Sequence, residues 1–102
     1  MNSIIENNKA QIDQLCLENK VDKLYVFGSV LTDKFNKKSD LDFVVAFDNS
    51  IELLDYADNY FNFLFSLEDL FKREIDLLTE KSLRNPYFIK ELDNTKQLIY
   101  AT

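Results

Sequence analysis

The sequence predicts an α/β fold, a small mixed β-sheet with helices mainly on one face, and three observations lead to it. Short apolar runs at 24–27, 41–47, 74–79 and 97–101 are separated by longer stretches of helical period. The run at 41–47 becomes apolar on both of its faces beyond two acids, as suits a strand covered by helices. The only glycine, Gly28, and the only proline, Pro86, both stand where one element gives way to the next.

The elements follow in order. Ser3-Ile4-Ile5-Glu6 is a capping-box pattern that opens a first helix. Ile5, Ile12, Leu15 and Cys16 recur at helical spacing as its buried stripe, and Asn19-Lys20 ends it. Residues 24–27 form the first strand. Residues 30–35 are expected as a short helix and 36–39 as a polar loop. In the second strand, 41–47, Leu41, Phe43, Val45 and Phe47 face one way, with Asp40, Asp42, Val44 and Ala46 facing the other.

Asn49-Ser50 can cap a long helix running to about residue 71. That helix is too apolar for one stripe. Leu54, Ala57, Phe61 and Leu64 make one face; Tyr56, Tyr60, Phe63, Leu67 and Leu70 make another. One face covers the sheet. The seam of Tyr56, Tyr60, Phe63 and Leu67 is expected to be open to a partner or a second copy, a broad buried arc being the alternative. Residues 74–79 form the third strand. Asn85-Pro86 is an N-cap followed by proline at the first helical position, opening a helix over 87–92 before a terminal strand at 97–101. The 102 residues are expected to be one domain, 1–102.

Composition removes several classes of function. The chain has no histidine and one cysteine, so Ser-His and Cys-His catalysis, a disulfide framework and a Cys-rich zinc site are all excluded. Net charge is −6, with 18 acids against 12 bases. A nucleic-acid binder carries a basic face, so no direct nucleic-acid partner is expected. No long apolar run predicts a membrane span, and the N-terminus lacks the basic-then-apolar pattern of a signal peptide, so a cytoplasmic protein is expected.

The strongest chemical signal is the spacing G-S-x10-D-x-D, made by Gly28, Ser29, Asp40 and Asp42. Two acids two residues apart in a strand share a face, repel one another and resist burial. A divalent cation compensates them, and Mg²⁺ favours carboxylates combined with substrate phosphates. Asp76 is a lone acid in the third apolar strand. With it the three carboxylates would make a two-metal site for phosphoryl-type transfer. Gly28 allows close backbone approach at a strand-to-helix turn, and Ser29 adds a hydroxyl donor, which suits a phosphate. Lys34, Lys37 and Lys38 lie between the two halves, and a solvated basic turn is the simpler account of them.

Gly28-Ser29, Asp40-x-Asp42 and Asp76 resemble the signature of the polymerase-β-like nucleotidyltransferase superfamily. The small size, the lead-in 21–27 and the late Asn85–Ile89 helix are similar to its minimal nucleotidyltransferases, the MNT antitoxins paired with HEPN toxins. The resemblance covers nearly the whole chain. It implies that Gly28 and Ser29 hold a nucleoside triphosphate and that Asp40, Asp42 and Asp76 bind two Mg²⁺ ions. It implies transfer of AMP from ATP to a hydroxyl, most simply a tyrosine, of a partner HEPN-type toxin. Members often continue the Gly-Ser pair with a small residue, arginine and glycine; here the run is Val30-Leu31-Thr32-Asp33, which implies weaker nucleotide binding or slower chemistry and leaves the metal acids untouched. The alternatives are a non-enzymatic antitoxin that acts by binding alone and a small-molecule nucleotidyltransferase.

Overall fold

A computed structural model describes residues 3–102. Its helices are α1 Ser3–Glu6, α2 Lys9–Glu18, α3 Leu53–Phe71 and α4 Pro86–Thr95; its strands are β1 Val21–Phe27, β2 Leu41–Phe47, β3 Ile75–Thr79 and β4 Gln97–Ala101. The sheet order is β3-β2-β1-β4. β1 runs antiparallel to β2 and β4, whereas β2 and β3 are parallel, so the sheet is mixed as predicted. No described helix is long and apolar enough to cross a membrane.

One face of the sheet carries the core. Leu24 and Val26 of β1, Leu41, Phe43, Val45 and Phe47 of β2, and Ile75 and Leu77 of β3 pack against α1, α2 and α3. Ile5, Ile12 and Cys16 are buried in it as the helical stripe predicted. Burial pushes the Cys16 thiol up to about 12, which leaves it a protonated core side chain. The other face is covered by α4, whose Phe88 ring meets Phe27 of β1 edge-on at 6.3 Å and whose Leu92 is buried. Asn85 caps α4 by accepting from the backbone N–H groups of Tyr87 (2.9 Å) and Phe88 (3.1 Å), with Pro86 at the first position.

Four expectations are corrected. The N-terminal helix is two helices. Asn7 and Asn8 interrupt it, and the Asn8 amide donates to the Ile4 carbonyl at 2.8 Å, offering the backbone an alternative to the helical ladder. The helix expected over 30–35 is a single 3₁₀ turn, Gly28–Leu31, closed where the backbone and hydroxyl of Thr32 both donate to the Ser29 carbonyl. Asn49-Ser50 does not cap α3. It lies in a turn fixed by Ser50 N–H donating to Asp48 Oδ1 at 2.8 Å, and α3 starts at Leu53 with no side-chain cap.

The fourth correction concerns the faces of α3. Phe63 and Leu67 are fully buried, and Tyr56 and Tyr60 pack half-buried against the same core, so they form the sheet-facing stripe and not the open seam. Phe47 of β2 sits edge-on to both Tyr56 (5.7 Å) and Phe63 (5.9 Å). Of the face expected to cover the sheet, Leu54 is 92% exposed and Phe61 48%, and only Leu64 packs on the core; Phe65, 59% exposed, extends the open side. Both stripes are apolar, so period alone could not decide which one the sheet selects.

Two measurements check this packing. Phe63→Ala should cost about 3–5 kcal/mol and bring the protein close to unfolding, whereas Phe61→Ala should change stability by under about 0.5 kcal/mol; urea melts followed by circular dichroism separate them. With glycine absent from helix ends, Lys20 and Lys72 follow α2 and α3 at φ 57° and 55°. Lys20→Gly should therefore raise stability by about 0.5 kcal/mol, the relief of left-handed strain exceeding the added chain entropy.

Candidate active site

The strand register assembles the site. Phe27 pairs with Asp42 across β1–β2, and Asp42 pairs with Asp76 across β2–β3, so one row crosses three strands. Asp40 immediately precedes β2, close enough for its charge to act on Asp42. Gly28 immediately follows Phe27 with φ +77°, the left-handed region. A Cβ placed on it would lie 2.4 Å from Asp42 Oδ2. The Asp42 carboxylate is therefore seated directly on the Gly28 backbone, and a side chain at 28 would evict it.

The electrostatics are those of crowded, uncompensated acids. Burial, then the charges of Asp76 and Asp40, push the Asp42 carboxyl up from the usual 3.8 to about 6. Asp42 is half-buried while Asp40 and Asp76 are exposed. The ion pairs among the described residues, Lys9–Asp13, Lys72–Asp69 and Lys96–Asp93, all lie elsewhere. No three acid or thiol groups among the described residues converge as a ready-made metal cage. Asp42 and Asp76, paired in register, are oxygen donors of the kind a hard cation takes together with phosphate and water.

Ser29 lies half-buried in the turn that starts at Gly28. An open cavity of about 440 Å³ adjoins the turn, lined by Gly28, Leu31, Thr32, Glu91, Thr95 and Gln97. A larger one of about 550 Å³ lies between α2 and β4 and touches none of the predicted site residues. Lys34, Lys37 and Lys38 are exposed.

Arg73 was not singled out by its sequence context, yet it holds the loop that delivers Asp40. Its guanidinium donates to the carbonyls of Asn36 (3.2 Å) and Ser39 (2.9 Å) and stacks on the Phe35 ring at 4.6 Å. Leu41 N–H donates to the Glu74 carbonyl at 3.2 Å, fastening the same junction to the chain entering β3. Both partners are more than thirty residues away in sequence, so only the fold brings them together.

The fold is a mixed sheet with a glycine-serine turn, two acids in register and a third just ahead of β2. The family model described as "Polymerase beta, Nucleotidyltransferase" matches residues 10–102, and the chain belongs to that family. Among curated relatives, "Putative protein adenylyltransferase MJ1379" of Methanocaldococcus jannaschii is 32% identical over 90 residues, covering 80% of this chain and 78% of its own length. MJ0126 of the same organism, similarly named, is 32% identical over 79% of this chain and 76% of its own.

Among solved structures, a "putative minimal nucleotidyltransferase" superposes with a TM-score of 0.72 at 26% identity over 95% of each chain. A chain of a toxin–antitoxin crystal structure with AMP-PNP gives 0.70 at 18% identity, over 93% of this chain and 74% of its own. A chain from the complex of a tri-AMPylated Shewanella oneidensis HEPN toxin with its MNT antitoxin gives 0.65 at 17%, over 95% and 72%. The last two share the fold.

The Asp42 shift sets a pH dependence. A carboxyl raised in the folded state contributes stability that is fully present below its unfolded value near 3.8 and lost as pH rises through about 6. Asp42→Asn should therefore melt higher than wild type at pH 7 without metal. The gain is on the order of 1 kcal/mol, because solvent screens this open site. It should shrink between pH 6 and pH 4, which thermal melts across that range would register.

Proposed function

We propose that this protein is a Mg²⁺-dependent nucleotidyltransferase that acts as an antitoxin, moving AMP from ATP onto a tyrosine hydroxyl of a partner HEPN-type toxin. The observation that carries this reading is the row Gly28–Asp42–Asp76: a glycine seated on one acid, with a second acid beside it on an edge strand. The family membership, the names of the curated relatives and the fold shared with antitoxin chains all support it.

In this reading Gly28 and Ser29 hold the phosphates, and Asp40, Asp42 and Asp76 hold Mg²⁺. Bound there, Mg²⁺ supplies charge neutralisation on the phosphate oxygens. Asp42, wedged against Gly28, is the fixed member; Asp76, exposed on β3, is the one an incoming protein can reach. The acceptor oxygen forms a bond to the α-phosphorus as the bond from that phosphorus to the bridging oxygen breaks. Pyrophosphate leaves, and the hydroxyl proton passes through the Asp76 carboxylate to water. The chain contributes positioning and electrostatics, the usual sources of rate in phosphoryl-type transfer.

Binding alone is the second reading, favoured by the exposed apolar face of α3. Intact-mass measurement decides between them. A HEPN-type toxin incubated with the wild-type protein, ATP and Mg²⁺ should gain the mass of one or more AMP groups and stay inactive once the antitoxin is removed. With Asp40→Asn/Asp42→Asn it should stay unmodified and active. A toxin silenced by both proteins without any mass change would establish the binding-only antitoxin.

A further inference from the structure

We propose that the solvent-facing stripe of α3, centred on Leu54, Phe61 and Phe65, is the docking surface for a basic, amphipathic helix of the protein that receives the nucleotide. The inference rests on the proposed transfer only for the identity of the partner; the surface itself is argued from this chain.

Its position comes first. Asn59 donates to the Asn19 carbonyl at 2.7 Å and so marks the flank of α3 that faces the end of α2. Tyr60 donates to the Leu77 carbonyl at 2.6 Å and marks the flank that faces β3. Phe61 follows Tyr60 a further 100° around the helix, in edge-on contact at 5.1 Å, and Phe65 stacks beyond it at 5.9 Å. The stripe thus continues outward from the β3 edge. Leu77, which Tyr60 grips, is the neighbour of Asp76. Tyr60, at the inner border of the stripe, reaches the β3 edge, while Asp76 alternates with Ile75 and Leu77 onto the other face of the sheet.

The charge decides the occupant. Through all 19 residues α3 has four acids, Asp55, Asp58, Glu68 and Asp69, and no base. A second copy placed here about a two-fold axis would set acids against acids, and two chains of net charge −6 would add to the repulsion. A partner helix with apolar residues at three-to-four spacing and lysine or arginine on its borders meets both the stripe and its acidic margin. The exposed rings at the centre supply the anchors that dominate such contacts.

The test uses the full chain and two labelled synthetic helices, identical in their leucine face, one bordered by lysine and one by glutamate. Fluorescence anisotropy should show the lysine helix binding and the glutamate helix not. Phe61→Ser/Phe65→Ser should weaken binding by about tenfold or more with an unchanged circular dichroism spectrum, because neither ring is in the core. Asp55→Lys/Asp58→Lys should weaken the lysine helix and admit the glutamate one. Asp40→Asn/Asp42→Asn should bind like wild type. Binding indifferent to both surface variants, or a wild-type dimer in sedimentation that Phe61→Ser/Phe65→Ser dissolves, would overturn the proposal. Failure of AMP transfer with peptide binding intact would instead overturn the transfer reading and leave the surface standing.

Discussion

The contact between the Gly28 backbone and the Asp42 carboxylate is the constraint on which the rest of the site depends. It requires β1 to end opposite the start of β2, as the Phe27–Asp42 pairing provides. It requires a left-handed turn at 28, and it requires the absence of a side chain there, since a Cβ would approach Oδ2 to 2.4 Å. These demands explain where the chain places its single glycine. Elsewhere the same backbone region is occupied by lysines, at the ends of α2 and α3, where both residues are exposed to solvent. A left-handed residue at a helix end tolerates a side chain at a modest cost. A left-handed residue pressed on a carboxylate does not.

The acids are a cost that the core and the loop clamp absorb. Asp42 is held partly out of water beside two like charges, which opposes folding at neutral pH. It is held there because β2 is anchored on its other face by Leu41, Phe43 and Val45, all fully buried. Asp40 has no such anchor in a strand. Arg73 substitutes for one, tying the carbonyls of residues 36 and 39 to the chain entering β3. The run that follows Gly28-Ser29, Val30-Leu31-Thr32-Asp33, holds no arginine. The arginine this chain does have nearby binds main-chain carbonyls and an aromatic ring, so it fixes loop geometry.

The strands and the acid row were legible because they rest on period-two alternation and short-range spacing. Leu41–Phe47 and Gln97–Ala101 carry their bounds in the sequence, and the Asn85-Pro86 cap is chemistry confined to four residues. The departures are of two physical kinds. Local polar competition broke the first helix at Asn7-Asn8 and turned Asp48–Ser50 into a loop before α3 could start. Long-range choice fixed the rest. Which apolar face of α3 meets the sheet depends on the fit of Phe63 and Tyr56 around Phe47, and Arg73 acquires its role only when residues 36 and 39 fold back to it. Neither is written in any single window.

A small sheet has two faces and two edges to protect, and this chain solves the problem unevenly. α1, α2 and α3 close one face, α4 the other, and β4 forms one edge. At the opposite edge, the Leu77 carbonyl on β3 is taken by the Tyr60 hydroxyl, which removes one acceptor that another strand could use. The exposed rings of Phe61 and Phe65 begin beside that guard, on a helix whose only charges are negative. Aggregation through this face is opposed by its own charge, while approach of a basic partner is favoured. The four acids of α3, of which Asp69 is paired with Lys72, border this apolar stripe, and under the docking proposal they favour a basic partner over an acidic one. Helix α3 thus has two working faces: aromatic packing that holds β2, and with it Asp42, in place, and an exposed apolar stripe bordered by acids on the side turned away from the sheet.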